Sequence, residues 1–143
     1  MWSFRLNLFA AGHDSGLIIF KLEKERPTYL SQKNELLFYI KDKYLRIYEY
    51  ATARDMPILS IVKRPVAPRF VHYNPAERAV VVFYELDNGV NSYDYYQIPK
   101  SSDASVDPRR SSCVSVAWVA RDRFAVLEKS NIVSVRRVCI IFY

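Results

Sequence analysis

The 143-residue sequence has few of the residue types on which several classes of protein depend. Its three glycines exclude a collagen-like repeat and a glycine-rich phosphate-binding loop. Its two cysteines, Cys113 and Cys139, lie far apart, which excludes a disulfide framework and a zinc site built from cysteines. The only histidines are His13 and His72, and neither lies in a recognisable catalytic motif. We therefore expect no catalytic residues, no metal, no cofactor and reduced thiols typical of the cytosol.

Long hydrophobic runs are also missing. Arg5 and Asn7 interrupt the apolar start of the chain before the hydrophobic core of a signal peptide could form. No run approaches the ~18–20 consecutive apolar residues of a membrane span. The sequence therefore predicts neither a secretory signal nor a transmembrane segment.

The residues that are abundant favour β-structure. Val, Ile, Tyr, Phe and Trp together supply 46 of the 143 residues, and these types fit a pleated, half-buried surface. Short runs of them are separated by turn residues every ~8–12 positions, with no long segment of helical period. The predicted strands are residues 8–11, 17–22, 36–40, 45–50, 58–62, 70–73, 79–85, 92–98, 113–119, 124–128 and 132–135. Residues 99–112, rich in Ser, Asp and Pro, are predicted to form a loop.

A hairpin motif near the start carries more specific information. Residues 8–22 read LFAAGHDSGLIIFKL, which predicts two strands around a tight turn. Gly12 and Gly16 are predicted to supply positive φ angles there, and Asp14 to accept hydrogen bonds from turn amides. Looser strand–turn–strand units begin near residues 70 and 115. Spacing of this kind is typical of the ~40–45-residue blades of a WD40 propeller, with Phe20 and Lys21 at the places of the usual Trp-Asp pair.

Several segments resemble the alpha-subunit family of coatomer. They are NLFAAGHDSGLIIFKLEKERP (7–27), YNPAERAVVV (73–82), SYDYYQIPK (92–100) and VAWVARDRFAVLEKSN (116–131). They occur in the family's order, and the resemblance covers roughly residues 7–134. Residues 1–6 and the tail 136–143 do not resemble the family, so we expect a fragment or an altered end on each side.

The resemblance implies an all-β fold, a partial WD40-like propeller of roughly three four-stranded antiparallel blades that does not close into a ring by itself. Residues 1–26 would be the remnant of the last blade of a first propeller, and residues 27–34 a linker. Residues 35–143 would be the opening blades of a second propeller, with the atypical tail 136–143.

The resemblance also implies a function without catalysis. The family forms the COPI vesicle coat, which acts in Golgi-to-ER retrograde and intra-Golgi transport by protein–protein scaffolding. The implied partners are other coatomer subunits, especially beta-prime, and dilysine-bearing cargo tails that bind the complete first propeller. The cargo-binding residues are expected mainly outside this segment. The implied location is cytoplasmic, peripheral on Golgi membranes and coat vesicles, with no nucleic acid bound.

The charge distribution leaves one alternative open. The net charge is +6, and residues 108–143 carry seven basic against two acidic side chains. A basic all-β module could bind RNA or acidic membrane lipid through clustered arginines, with tyrosines such as Tyr93, Tyr95 and Tyr96 stacking on bases. The near-neutral remainder of the chain and the neighbouring Asp94 favour packing roles for these tyrosines. The arginines in question are Arg109, Arg110, Arg121, Arg123, Arg136 and Arg137.

Overall fold

The computed structural model describes residues 2–3, 8–21, 28–86, 89–99 and 106–138. Within these ranges the chain forms fourteen strands in four sheets, and no helix. The first sheet contains β1 (Trp2–Ser3), β2 (Leu8–His13) and β3 (Gly16–Lys21). The second contains β4 (Tyr29–Gln32), β5 (Leu36–Lys41), β6 (Tyr44–Glu49) and β7 (Arg54–Ser60). The third contains β8 (Phe70–Asn74), β9 (Ala79–Tyr84), β10 (Asn91–Gln97) and β11 (Arg109–Cys113). The fourth contains β12 (Ser115–Ala120), β13 (Arg123–Leu127) and β14 (Val133–Arg137).

The sheets are small, open and antiparallel, which confirms the predicted fold class. Every pairing joins strands that are neighbours in the sequence, so each sheet is a meander of hairpins. Two sheets have four strands and two have three, and none closes on itself in the described part of the chain. This arrangement is consistent with partial propeller blades.

The hairpin turns follow from local backbone conformation. Asp42 and Lys43 join β5 to β6 with φ of 50° and 68°, the two positive values that a tight type I′ turn requires. In the β2–β3 hairpin, His13 pairs with Gly16 across the two-residue loop, and Gly16 has φ of 155°. The prediction for Gly12 was wrong, because Gly12 lies within β2 opposite Leu17 and has no positive φ.

The loop prediction for residues 99–112 was wrong at its end. Residues 109–113 form β11, which pairs with β10 so that Arg110 lies directly opposite Asp94. An Arg-Arg-Ser-Ser run has little β-propensity, so tertiary pairing decides its conformation. The predicted linker 27–34 includes β4, which pairs with β5 from Tyr29 opposite Tyr39 to Gln32 opposite Leu36.

The third sheet lies at the centre of the hydrophobic core. All six side chains of β9 are buried, and they alternate between two clusters because successive residues of a strand point to opposite faces. Val80, Val82 and Tyr84 pack with Phe38, Leu45 and Leu59 of the second sheet. Ala79, Val81 and Phe83 pack with Val116, Phe124 and Val126 of the fourth sheet. The second, third and fourth sheets therefore form a stack with the third in the middle.

Polar and aromatic contacts join neighbouring sheets of the stack near their first strands, β4, β8 and β12. Strand β8 contacts both β4 and β12. The rings of Phe38 and Tyr73 stack at 4.2 Å between the second and third sheets. Asn74 Nδ2 donates to the carbonyl oxygen of Arg121 at 2.8 Å, which joins β8 to the turn after β12. These contacts place the first strands of three successive sheets side by side, as around a propeller axis.

Candidate functional site

One face of the second sheet carries a cluster of tyrosines. Tyr29 pairs with Tyr39, and Leu37 with Tyr48, in neighbouring rows of the same face, and Tyr50 follows Tyr48 two positions on. We call these residues the tyrosine face: Tyr29, Leu37, Tyr39, Tyr48 and Tyr50. The opposite face carries Phe38 and Leu45 and packs into the core.

The tyrosine face is open to solvent and forms a shallow groove. Tyr29 is 67% exposed and Tyr50 48%. Together with Asp55, the tyrosine face lines a groove of about 640 Å³. The rings of Tyr48 and Tyr50 meet edge to face at 5.5 Å. Large aromatic side chains with a polar tip are the residues most enriched at protein interfaces, so this surface is suited to contact with another protein.

A small polar network lies at one side of the groove. The Tyr39 hydroxyl donates a hydrogen bond to Asp55 Oδ2 at 2.7 Å, and Arg46 Nε donates one to Asp55 Oδ1 at 3.0 Å. Hydrogen bonds from Arg46 and then from Tyr39 lower the pKa of Asp55. Burial and the bond to Asp55 raise the pKa of Tyr39. These groups keep Asp55 ionised and hold Tyr39 in place, and they satisfy polar atoms that would otherwise weaken an apolar contact.

A second polar centre is the buried carboxylate of Asp94. Its side chain is fully buried and lies between two guanidinium groups. Arg64, in the segment between β7 and β8, donates Nε to Asp94 Oδ2 at 3.1 Å and Nη2 to Oδ1. Arg110 donates Nε to Oδ1 at 2.9 Å. A buried charge of this kind is tolerated only when it is paired and fully hydrogen-bonded.

Two tyrosines complete the surroundings of Asp94. The guanidinium carbon of Arg64 lies 4.4 Å from the centre of the Tyr84 ring, a cation–π distance. The hydroxyl of Tyr96 accepts a hydrogen bond from the Val62 amide at 3.1 Å. Burial raises the pKa of Tyr84, with a further rise from the negative charge of Asp94. This centre therefore fastens the segment that connects the second and third sheets, and its role is structural.

The two histidines singled out by the sequence lie in different sheets, His13 at the end of β2 and His72 within β8. His13 is exposed, and its Nδ1 lies 2.9 Å from the Ser15 hydroxyl in the same hairpin. His72 is half-buried, which lowers its pKa, and its ring meets Phe70 edge to face at 4.7 Å. Asp14 lies in the exposed turn. Across the described residues, no group of three or more His, Cys, Asp or Glu side chains could hold a metal ion.

The six arginines of the alternative hypothesis mostly pair with acidic side chains of this chain. Arg110 binds Asp94, Arg121 lies 3.6 Å from Glu77, and Arg137 lies 3.1 Å from Asp122. Arg123 lies 3.7 Å from the same Asp122. The Arg136 guanidinium lies 5.9 Å from the Tyr93 ring centre. These contacts reduce the charge available to phosphates, and RNA or lipid binding stays a prediction.

The buried tyrosines of β10 have packing roles, as the sequence indicated. Tyr93, Tyr95 and Tyr96 are each at most 5% exposed. Tyr95 stacks on Phe124 at 5.6 Å and Tyr93 meets the same ring edge to face at 5.7 Å. Rings in these positions are closed to stacking on nucleic-acid bases.

The prediction from the sequence did not include two parts of the candidate site. The Arg64–Asp94–Arg110 group joins residues 30 and 16 positions apart, and no local pattern indicates it. The tyrosine face had a readable signal: Leu37 and Tyr39, and again Tyr48 and Tyr50, recur at the two-residue period of a strand. The hydroxyl groups and the exposure of Tyr29 and Tyr50 make that face distinct from an ordinary core face.

The described part of the chain contains no helix of the length and hydropathy that a membrane crossing needs. No family model matches the chain, and no solved structure matches it. Curated proteins do match. Coatomer subunit alpha-1 of Arabidopsis thaliana is 47% identical over 136 residues, which cover 88% of this chain and 11% of the plant protein.

The chain is homologous to coatomer subunit alpha. The coatomer subunit alpha of Dictyostelium discoideum is 39% identical over 132 residues, covering 91% of this chain. That of Saccharomyces cerevisiae is 29% identical over 133 residues, covering 88%. The chain spans about 11% of the length of these coatomer proteins, so the homology covers one segment of a much longer subunit.

Proposed function

We propose that the chain acts as a structural, non-enzymatic part of the COPI vesicle coat, in Golgi-to-ER retrograde and intra-Golgi transport. The observation that carries this proposal is the homology to coatomer subunit alpha across at least 88% of the chain, from a plant at 47% identity to a yeast at 29%. Similarity maintained along nearly the whole chain, rather than at one motif, favours a shared architecture and a shared role.

The structure supports a scaffolding role in physical terms. Small stacked sheets fill their interior with side chains and present rigid faces, edges and loops to partners. The buried centre at Asp94 holds this framework together, and Asp55 is paired with Tyr39 and Arg46 at the side of the groove. The tyrosine face and the loop edges are therefore the surfaces on which the proposed function depends.

The proposed division of roles follows the resemblance along the chain. Residues 1–26 would close a first propeller, residues 27–34 would connect the two propellers, and residues 35–143 would open the second. We propose that the second propeller provides contact with beta-prime, and that dilysine cargo tails bind the first propeller outside this segment. The corresponding location is the cytoplasmic face of Golgi membranes and coat vesicles.

An exchange experiment tests the proposal directly. The matching 136 residues of the Arabidopsis alpha-1 subunit are replaced by those of this chain, and assembly with purified beta-prime is measured by affinity capture. We expect capture comparable with the unaltered subunit, because the segments share one fold. A chimera that is folded and protease-resistant but captures no coatomer subunit would disprove the proposal.

Two variants make the result interpretable. Phe83→Asp places a charge in the buried centre of the third sheet and is expected to abolish assembly through misfolding. Glu85→Gln alters the exposed ion pair with Arg69, away from the groove, and is expected to leave assembly unchanged.

A further inference from the structure

Strand β11 carries two arginines followed by two serines, Arg109-Arg110-Ser111-Ser112. It is the last strand in the order of the third sheet and pairs with β10. Arg109 and Ser112 are exposed, and the Arg110 side chain is 49% exposed. The third sheet packs against another sheet on each of its faces, so this short basic strand lies at the edge of the stack.

The two serines of β11 have different surroundings, because successive residues of a strand point to opposite faces of the sheet. Ser111 lies opposite Tyr93, is half-buried, and is hydrogen-bonded to the Tyr93 side chain. Ser112 lies opposite Ser92 on the other face and is exposed. Of the two hydroxyl groups, that of Ser112 is therefore the one open to an enzyme from solution.

Ser112 shares its face with the Asp94 centre, the group formed by Arg64, Asp94 and Arg110. Arg110 precedes Ser112 by two residues and therefore lies on the same face of the strand. Arg64 Nη1 donates a hydrogen bond to the hydroxyl oxygen of Ser92 at 3.1 Å, and Ser92 is the cross-strand neighbour of Ser112. Directly opposite residues have Cβ atoms about 4.5–5.5 Å apart, so both guanidinium groups lie within reach of a group attached to the Ser112 hydroxyl.

The Asp94 centre carries an excess of positive charge. Two guanidinium groups face one carboxylate, so these three side chains together have a net positive charge. A phosphate on serine carries about −1.5 to −2 charges at pH 7 and three acceptor oxygens, and it forms charge-assisted hydrogen bonds when it lies opposite arginines. The centre therefore provides the charge and the donors that would bind a phosphate on Ser112.

The residues before Ser112 match the substrate preference of one class of kinase. Arg109 and Arg110 stand three and two positions before Ser112, and serine kinases that select basic substrates bind arginines at these positions through carboxylates. Ser111, with Pro108 three positions before it, does not have this pattern. Strand β11 is already extended, and only one of its edges is paired in the described part of the chain, so a kinase that binds an extended segment can reach it.

We propose that Ser112 is phosphorylated by an arginine-selecting serine kinase, and that the phosphate binds the guanidinium groups of Arg64 and Arg110. The Ser112 oxygen attacks the terminal phosphorus of ATP, the bond from that phosphorus to the leaving ADP oxygen breaks, and the hydroxyl proton passes to a base of the kinase. The phosphate adds a second anion to the centre that joins the segment before β8 to β10 and β11. Phosphorylation therefore strengthens the contact between the third sheet and the segment that connects it to the second.

The first experiment tests the modification itself. The folded 143-residue chain is incubated with ATP and the catalytic subunit of cyclic-AMP-dependent protein kinase, and the modified residue is located by peptide mass spectrometry. We expect phosphate on Ser112, its loss in Ser112→Ala, and its retention in the matched control Ser111→Ala. Arg109→Ala, at an exposed position, is expected to slow the reaction about tenfold, because the kinase loses a charge-assisted contact.

The second experiment tests where the phosphate binds. The phosphorylated chain is expected to unfold at a higher urea midpoint than the unmodified chain, and this rise is expected to shrink at high salt, which screens partly exposed charges. Arg64→Gln leaves the kinase motif intact, so it is expected to accept phosphate on Ser112 but to lose the rise. If Arg64→Gln does not fold, Arg64→Lys replaces it and is expected to show a smaller rise, because lysine lacks the planar fork of donors.

Three results would overturn the proposal. They are a folded chain without phosphate on Ser112, phosphorylation that leaves the urea midpoint unchanged, and a rise of the same size in the Arg64 variant. None of these results bears on the proposed role in the coat, which the exchange experiment tests separately.

Discussion

Asp94 shows how a single residue determines the relation between two sheets. It is fully buried, its cross-strand partner is Arg110, and its second partner, Arg64, comes from the connection that precedes the third sheet. No buried side-chain polar atom among the described residues lacks a hydrogen-bond partner. The network is therefore complete, and removing the Asp94 carboxylate leaves both guanidinium groups without this counter-charge.

We expect Asp94→Asn to lower the free energy of unfolding by about 3 kcal/mol, because the Arg64 guanidinium, with its side chain only 14% exposed, loses its counter-charge. Urea denaturation followed by circular dichroism measures this change. Asp55→Asn, in the exposed pair with Arg46, is the control and is expected to leave the midpoint nearly unchanged. Equal midpoints for Asp94→Asn and the wild-type chain would contradict the structural role of this centre.

Cys113 provides a second test at a single residue. Its side chain is 2% exposed, and burial raises the pKa of its thiol to about 11. At pH 8 the reactive thiolate is therefore scarce as well as shielded. We expect iodoacetamide to leave Cys113 unmodified in the folded chain and to alkylate it fully in urea, as read by peptide mass spectrometry. Rapid alkylation of Cys113 in the folded chain would show that the core around it opens.

At the scale of the strand, the sequence prediction was correct for the runs of β-branched and aromatic residues that the fold buries. Residues 70–73, 79–85 and 92–98 were predicted as strands and correspond to β8, β9 and β10, because Val, Phe and Tyr dominate them. It failed for β11, whose Arg109–Cys113 run is polar, and for β4, which lies in the predicted linker. Both are edge strands, each paired with a single neighbour in its sheet, and this pairing decides their conformation.

The same contrast holds for the candidate site. The packing role of the β10 tyrosines could be predicted from the sequence, since Asp94 and the nearly neutral charge nearby argued against base stacking. The partners of Asp94 could not be predicted, because Arg64 and Arg110 reach it only after the sheets have formed. Long-range polar contacts depend on tertiary geometry that local pattern does not encode.

The buried tyrosines of β9 and β10 predict how stability depends on pH. Burial raises the pKa of Tyr84 and of Tyr96 in the folded chain above the value of about 10 that tyrosine has when unfolded. Below pH 10 both states keep these protons and stability is complete. Above it the unfolded chain ionises first, so the free energy of unfolding falls as pH rises.

Urea midpoints between pH 9 and pH 11 measure this dependence. Tyr84→Phe removes one of the titrating groups and is expected to flatten the decline. A decline that is equally steep in Tyr84→Phe would assign the effect to other residues.

On the scale of the whole molecule, stability is expected to be uneven. The stack buries its residues in two clusters, whereas Leu17, Ile18, Ile19 and Phe20 of β3 are each 48–66% exposed. We expect amide hydrogens of β9 and β10 to exchange most slowly and those of β3 to exchange far faster, because protection follows buried contacts. Mass-spectrometric hydrogen exchange measures both regions in one sample. Equal protection of β3 and β9 would mean that the first sheet is covered in solution.

The pairing of every strand with its neighbour in sequence has a consequence for synthesis. Each sheet needs only residues already emerged from the ribosome, and its hairpins close over short separations that form quickly. Stacking, by contrast, waits for the following sheet, so the face of the newest sheet stays uncovered until roughly forty more residues are made. Translation rate and chaperone binding would therefore affect the time during which a finished sheet waits for the next sheet to cover it. They would have less effect on the formation of each sheet.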